Sequence, residues 1–573
     1  MSMLIAPAFQ GEDLSCYANL FLRKLWSDEE RRYLSPFATN IDGTVSVLHG
    51  LPPEMIGAIC SRTSRTEGSL LRVLLDEYIF KIIRGEDRAL AKELEDVIDF
   101  LNKHGFKNIL NNQRAQEFYA KCLAQFGDES IAQLTGTHVF FEGISQVLMK
   151  FIQDMRIGIE PIEKSTRFIF FALKVLGRYQ YCVPEPALRR HGMLNEYRRA
   201  GDNLFDTYGK LFKPLVEFFA SAYPDEKRMP LEKKALDVLR GLLPMATLGQ
   251  VAFRGNAQAW EYLITRLAQQ ELGEFRWAAQ ALYGELNKEI PSLLLRLSEE
   301  KALKYQQYIA QRQVHVSAEW SWSLFSLGKK SIEVEVDAKP KVKLVTHNPA
   351  QEAEVITAMV FSSRGNHQSW QSIYRSVRKM PQADRRKLVE AYLRGRTQQW
   401  EKVGRAFENA NVRFEITMDI GAYRDLHRHR MLTQDRQEFS THHGYVVPDC
   451  ISEAGLESDY RQAMDWAREV YEKLERKDPL LAQYIVPLGY NIRFYQYTNW
   501  RELFWEIELR TGPQGHPNYR WIEQEKFRLL QEKFPLFTSF MKADMKDYAV
   551  ARRGIEEKSK AKEQRVLGKL QSS

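Results

Sequence analysis

The chain has 573 residues, 44% hydrophobic and 27% charged, with a formal net charge of +8. That length predicts two or more domains with buried cores, and the composition excludes a disordered or fibrous chain. The modest positive charge fits anionic small ligands and nucleic acid equally well and decides neither.

No run of about 18 apolar residues occurs, and the N-terminus lacks a basic stretch followed by an apolar one, so a soluble cytoplasmic protein with no membrane partner is expected. Cys16, Cys60, Cys122, Cys182 and Cys450 are scattered, without metal-ligand spacing. Reduced thiols and no metal are expected.

Residues 1–125 open with short extended pieces punctuated by Pro and Gly. Apolar spacing then predicts helices over 56–84, 87–103 and 114–126. Residues 137–144 (THVFFEGI) read as a strand and 145–152 as an apolar helix, followed by a polar loop closing on Ser165-Thr166-Arg167. Helices are expected over 203–223 and 231–290, the second interrupted at Pro244. Residues 329–351 alternate charge with Val and contain Pro340, which predicts a linker with room for a short strand. Three helical stretches should cover 352–408. The segment 412–441 then carries Arg428-His429-Arg430 after an apolar-patterned piece. Helices return at 456–476 and 480–536, and the charged tail 551–573 reads as a frayed helix or disordered.

Two pairs of segments match across the linker. Residues 139–168 align with 412–441 without gaps, placing Phe141-Glu142 on Phe414-Glu415. Residues 243–263 match 486–506, each with a Pro and an Asn in step: Pro244 and Asn256, Pro487 and Asn499. Two pairs in the same order predict a tandem duplication.

The Arg428-His429-Arg430 triplet, Asn499-x-Arg501 and Leu509-Arg510 at this spacing resemble the flavin-dependent thymidylate synthases. The resemblance covers roughly 125–290 and 400–535. It implies a helix-rich α+β fold of two tandem domains, each a small antiparallel sheet with flanking helices. The expected division is a mainly helical extension and start of the first repeat (1–125), the first repeat (126–328), the linker (329–351), the second repeat (352–540) and a charged tail (541–573). It further implies reductive methylation of deoxyuridine monophosphate (dUMP) to dTMP, with FAD as cofactor and methylenetetrahydrofolate and NADPH as co-substrates. Carried over by position, Arg428, His429 and Arg430 would hold FAD, aided by Glu408, Asn499 and Arg501, and Arg510 would reach the nucleotide.

The departures from that pattern divide between the repeats. In the second, Glu438 stands where the signature has serine, Ser440 where it has arginine, and Gln483 where an arginine precedes Leu-Pro. In the first, Met155-Arg156-Ile157 replaces Arg-His-Arg and Gln258 replaces the Asn-x-Arg arginine, while Ser165, Arg167 and Arg240 remain. The resemblance therefore implies a composite site between the repeats. FAD would lie on the second, with dUMP held by Ser165, Arg167, Arg240 and Arg510, and with Arg167 and Arg510 as the catalytic pair that stabilises charge developing on the ring. A homodimer would reproduce the family's four-copy arrangement.

The alternatives are a degenerate flavin-binding paralogue acting on another pyrimidine nucleotide, and a non-catalytic nucleotide- or RNA-binding scaffold. The His427–His443 cluster lacks metal spacing, since adjacent His442 and His443 point apart on a regular element. The aromatics of 493–510 fit helical burial better than base stacking, so nucleic acid is not the expected partner.

Overall fold

A computed structural model describes residues 12–19, 22, 26–106, 112–126, 129–326, 335–550 and 562–568. Its two sheets arise from period-2 segments with one buried face. The first contains β1 (Val45–Leu48), β2 (Gly136–Ile144), β3 (Ile159–Glu163) and β4 (Gly249–Asn256), in the order β1-β2-β4-β3. Helix α1 (Gln146–Gln153) follows β2, and α2 (Ala257–Leu267), α3 (Gly273–Glu289) and α4 (Glu300–Ser326) follow β4. The second sheet contains β5 (Lys341–Thr346), β6 (Asn411–Asp419), β7 (Leu432–Arg436) and β8 (Asn491–Asn499), in the order β5-β6-β8-β7. Helix α5 (Ile420–Leu426) follows β6, and α6 (Trp500–Arg510) and α7 (Pro517–Lys533) follow β8. All pairings are antiparallel. The fold is therefore helix-rich α+β, with one topology used twice.

The duplication extends to single hydrogen bonds. Asn256 ends β4 and caps α2 by accepting from Ala259 N at 2.9 Å, and Asn499 ends β8 and caps α6 by accepting from Glu502 N at 2.9 Å. An Asn side chain there satisfies one of the orphan amides of a helix's first turn. In the loops before β4 and β8, Ala246 N donates to Tyr484 O at 2.7 Å and Gly489 N donates to Gly241 O at 2.8 Å. Each donor and acceptor lies 243 positions from its counterpart, since 489 − 246 and 484 − 241 both equal 243.

Two expected helices contain strands instead. The stretch 231–290 is interrupted by β4 and 480–536 by β8. In β8, Ile492, Phe494, Gln496 and Thr498 are buried, while Tyr495 and Tyr497 between them are exposed. Flanking apolar residues at helical spacing mask this alternation. The helix expected over 56–84 breaks after Pro53–Thr63 and resumes at Leu70. Residues 341–346 of the 329–351 segment form the edge strand β5, and 327–334 lie outside the described residues. Of the tail, 562–568 are helical and 551–561 and 569–573 lie outside the described residues.

The chain divides into two compact units. The first comprises Met1–Lys210, Leu242–Val334 and Asp459–Pro487, and the second Leu211–Gly241, Glu335–Ser458 and Leu488–Ser573. Each therefore includes a segment from the opposite half of the sequence. Inside the first unit, Glu274 of α3 is fully buried and accepts from Ser145 Oγ at 2.5 Å and Tyr484 Oη at 2.7 Å. Loss of water pushes its carboxyl above the ordinary range, opposed by those two hydroxyls. No described helix is long and apolar enough to cross a membrane.

Candidate functional site

The Arg428-His429-Arg430 turn lies in the second unit, between the end of α5 and the start of β7. Asp419 caps α5 by accepting from Ala422 N at 2.7 Å, and Asn518 Nδ2 of α7 donates to its other oxygen at 2.8 Å. The turn itself is held through its carbonyls. Gln434 Nε2 on β7 donates to His427 O and His429 O, both at 3.3 Å. Arg428 is exposed, His429 buried and Arg430 half-buried.

Both ring nitrogens of His429 are engaged. Arg510 Nε lies 2.9 Å from Nε2, and Glu502 Oε1 lies 2.7 Å from Nδ1. A guanidinium only donates, so Nε2 accepts and Nδ1 carries the proton it gives to Glu502. The imidazole is thereby fixed in one tautomer with its ring plane set by two neighbours of opposite charge. Glu502, Glu506 and Arg510 recur every fourth residue and so share one face of α6.

Behind that face lies a charge cluster closed to water. Lys526 Nζ on α7 sits 2.8 Å from Glu523 Oε1 and 3.2 Å from Glu506 Oε2, and all three side chains are 0% exposed. Gln496 Nε2 donates to Glu506 Oε1 at 3.1 Å and lies 3.5 Å from Gln434 Oε1. A continuous polar path thus joins the carbonyls of the Arg-His-Arg turn to the buried lysine. Burial raises the Glu523 carboxyl, reinforced by the nearby Glu506 charge. Glu506 is held below its ordinary value because the attraction of Lys526 overcomes burial.

Glu408 and Arg501 pair with each other at 2.5 Å, and Asn499 Nδ2 donates to Met431 O at 3.0 Å, just past the turn. Glu408 also lines an open cleft of about 430 Å³ with Phe361, Trp370, Arg405 and Asn409. That volume falls in the ligand-site range of about 300–1,000 Å³. The cleft's aromatic walls and Arg405, which pairs with Glu408 at 3.2 Å, suit a planar ring with a polar substituent, so the residues present fit part of a dinucleotide.

Arg240 belongs to the same unit. Its Nη1 lies 3.6 Å from Asp425 Oδ2 of α5, with side chains 4% and 12% exposed. Its Nη2 is buried and has no hydrogen-bond partner among the described residues. Gly421 makes room for the guanidinium, because a Cβ there would come within 3.1 Å of Arg240 Nε. Ser165 and Arg167 lie in the first unit, where Ser165 Oγ accepts from Arg167 N at 3.2 Å and the arginine is buried.

Residues 88–292 and 343–536 each match the family described as thymidylate synthase complementing protein. The chain belongs to that family. A UPF0159 protein of Chlamydia pneumoniae is 34% identical over 535 residues, covering 90% of this chain and 96% of its own. A UPF0159 protein of Thermoplasma acidophilum is 28% identical over 486 residues, covering 79% and 93%. Among solved structures, the UMP/dUMP methylase PolB from Streptomyces cacaoi, bound with 5-Br dUMP, is 18% identical. It covers 36% of this chain and 96% of its own, with a TM-score of 0.30.

Within this member of the thymidylate synthase complementing family, the second unit contains Arg240, Arg510, Arg428, His429, Arg430, Glu408, Asn499 and Arg501, with direct contacts between His429 and Arg510 and between Glu408 and Arg501. Sequence reading missed Glu502, Gln434, Gln496, Glu506, Glu523 and Lys526. The 502/506/510 spacing was the available signal, obscured by the aromatic residues interleaved with it.

Glu502→Ala is expected to destabilise the protein by about 1–3 kcal/mol, because it strands the buried His429 donor. Glu502→Gln keeps an acceptor and should cost clearly less. Denaturant unfolding of both variants checks this, and equal losses would refute the assigned tautomer.

Proposed function

We propose that this protein is a flavoenzyme that reductively methylates dUMP to dTMP, in the manner of the FAD-dependent thymidylate synthases. The observation that carries the reading is Arg240 Nη2, a buried guanidinium nitrogen with no hydrogen-bond partner among the described residues, beside the helix that leads into Arg428-His429-Arg430. A nucleotide phosphate supplies the missing acceptor, and an arginine fork is the group best shaped to take it.

In this reading Arg428, Arg430, Asn499 and the Glu408–Arg501 pair hold FAD, with His429 as a neutral, fixed donor–acceptor at its edge. FAD when bound supplies the redox step, with NADPH as reductant and methylenetetrahydrofolate as one-carbon donor. Arg510, held on His429, is placed to stabilise negative charge on the pyrimidine. Ser165 and Arg167 are proposed as further nucleotide contacts on their match to the family pattern alone. Two chains, giving four repeats, are proposed as the assembly.

Glu438 supports a second reading, a paralogue acting on another pyrimidine nucleotide. It is exposed and acidic where the family pattern has serine.

The visible spectrum of the purified protein tests both. Flavin bands near about 370 and 450 nm that shift on adding dUMP are expected, with loss of the bands in Arg428→Ala/Arg430→Ala. Flavin without a dUMP response favours the paralogue. A colourless protein that takes up no FAD and fails to rescue a thymidine auxotroph refutes the enzyme.

A further inference from the structure

The chain's net charge of +8 is concentrated in one stretch. Residues 362–400 hold nine Lys and Arg against two Asp and Glu, a net +7. The rest of the chain holds 73 against 72 (82 − 9 and 74 − 2), a net +1. The fold of a repeat does not require this excess. Under the 273-residue offset that aligns the repeats, the counterpart is 89–127, with five Lys and Arg against five Asp and Glu.

The basic stretch lies in the second unit and forms two consecutive helices, Trp370–Lys379 and Gln382–Tyr392. Their apolar anchors, Ile373, Val377 and Val389, are buried. Arg385 joins the two: its Nε and Nη2 donate to Val377 O at 3.2 Å and Arg378 O at 2.9 Å, satisfying carbonyls that a helix end leaves open. Arg386 pairs with Glu390 at 2.8 Å, Lys387 with Asp384 at 2.9 Å, and Arg396 with the buried Glu508 at 2.6 Å. Both acids of the stretch are thereby used. Arg364, Arg375, Lys379 and Arg394 are exposed, and their side chains make no hydrogen bond or ion pair with any described residue. Arg378 is exposed too and lies 6.0 Å over the Tyr374 ring. Arg375, Arg378 and Lys379 are three and four positions apart on one helix face, where like charges repel. The helix dipole favours Arg378 and Lys379 in the last turn but leaves Arg375 without a reason in the fold.

We propose that this helical pair is a docking face for single-stranded nucleic acid. A row of phosphates supplies the acceptors these cations lack, and binding releases condensed counterions. Tyr392 and Trp400, 38% and 66% exposed, flank Arg394 in the chain, and a ring near guanidinium groups is a surface on which an unpaired base stacks. Bases in a duplex are already stacked on one another and gain nothing from such rings. A membrane surface would take up an apolar helix face, and here Ile373, Val377 and Val389 are already buried. None of these cations is among the residues proposed to hold FAD or dUMP, so the docking face can exist whether or not the protein methylates dUMP.

Fluorescence anisotropy tests this on the full-length protein, with labelled oligo(dT) and oligo(rU) of about 20 nucleotides. At about 50 mM salt at least one strand should bind, with log affinity falling against log salt at a slope of roughly −3, as about four phosphate contacts require. Preference for one of the two sugars identifies the source of the strand. Arg375→Glu/Lys379→Glu should weaken binding about tenfold or more and reduce the slope by about 1.4, with unchanged circular dichroism. If that variant misfolds, Arg364→Gln/Arg394→Gln replaces it and should show a loss in the same direction. Failure of both strands to bind, a flat salt dependence, affinity unchanged in the variants, or tighter binding of a duplex of the same length overturns the proposal. So does uptake by anionic vesicles without any binding of oligonucleotide.

Discussion

Lys526→Met should be among the most damaging single substitutions in the second unit, lowering stability by about 3–5 kcal/mol. The lysine side chain is 0% exposed, and it separates two carboxylates that are equally closed to water. Methionine fills similar space but removes the ammonium that holds Glu506 ionised against Glu523, and a buried charge stripped of its partner costs more than the pair ever contributed. Lys526→Met/Glu523→Gln should recover part of the loss by removing one carboxylate. Thermal unfolding of the single and double variants decides it. A double variant no better than the single would show that packing, rather than charge, dominates.

The same cluster sets a pH slope. Glu523 has a raised folded-state pKa, so its stabilising contribution is fully present below the ordinary carboxylate value of 4.5 and is lost as pH rises through the raised value. Over that window the unfolded chain binds fewer protons than the folded one. Glu523→Gln should therefore flatten the decline of melting temperature with pH between about 5 and 8. Glu506, whose carboxyl is lowered, acts oppositely and only in acid: its contribution is present above 4.5 and is lost as pH falls.

How much of this was legible in the sequence depends on the length scale of the signal. The duplication, the α+β class and the Arg-His-Arg turn lie in contiguous residues, and the Pro and Asn spacing marked the loops and caps that the structure repeats. Strands β4 and β8 were hidden because the period-2 pairs Val251/Phe253 and Ile492/Phe494 are short and sit between apolar residues at helical spacing. The buried cluster was hidden for another reason. Lys526 and Glu523 sit on a helix that reads as ordinary amphipathic surface, and only the placement of α7 behind α6 turns charges expected in water into core residues. Arg240 stands 188 positions before Arg428. Its neighbours Gly421 and Asp425 become visible only once 211–241 folds within the second unit.

That arginine carries the second large effect. Arg240→Ala should weaken dUMP binding by about 10–100-fold, since a hydrogen bond to a charged group contributes about 1.5–3 kcal/mol and each 1.4 kcal/mol is tenfold. The alanine also strips Asp425 of its cation, so affinity alone leaves a structural role open. Arg240→Lys keeps the charge and loses the fork, and should fall between wild type and alanine with little change in melting temperature. Asp425→Asn separates the readings most sharply. If Arg240 binds phosphate, weakening its competing carboxylate frees the guanidinium and tightens dUMP severalfold at some cost in stability. If Arg240 serves only to anchor α5, Asp425→Asn loses stability and leaves dUMP affinity unchanged. Titration calorimetry of the three variants reads the affinity and thermal unfolding reads the stability, and a gain of affinity in Asp425→Asn is the result that a purely structural ion pair cannot produce.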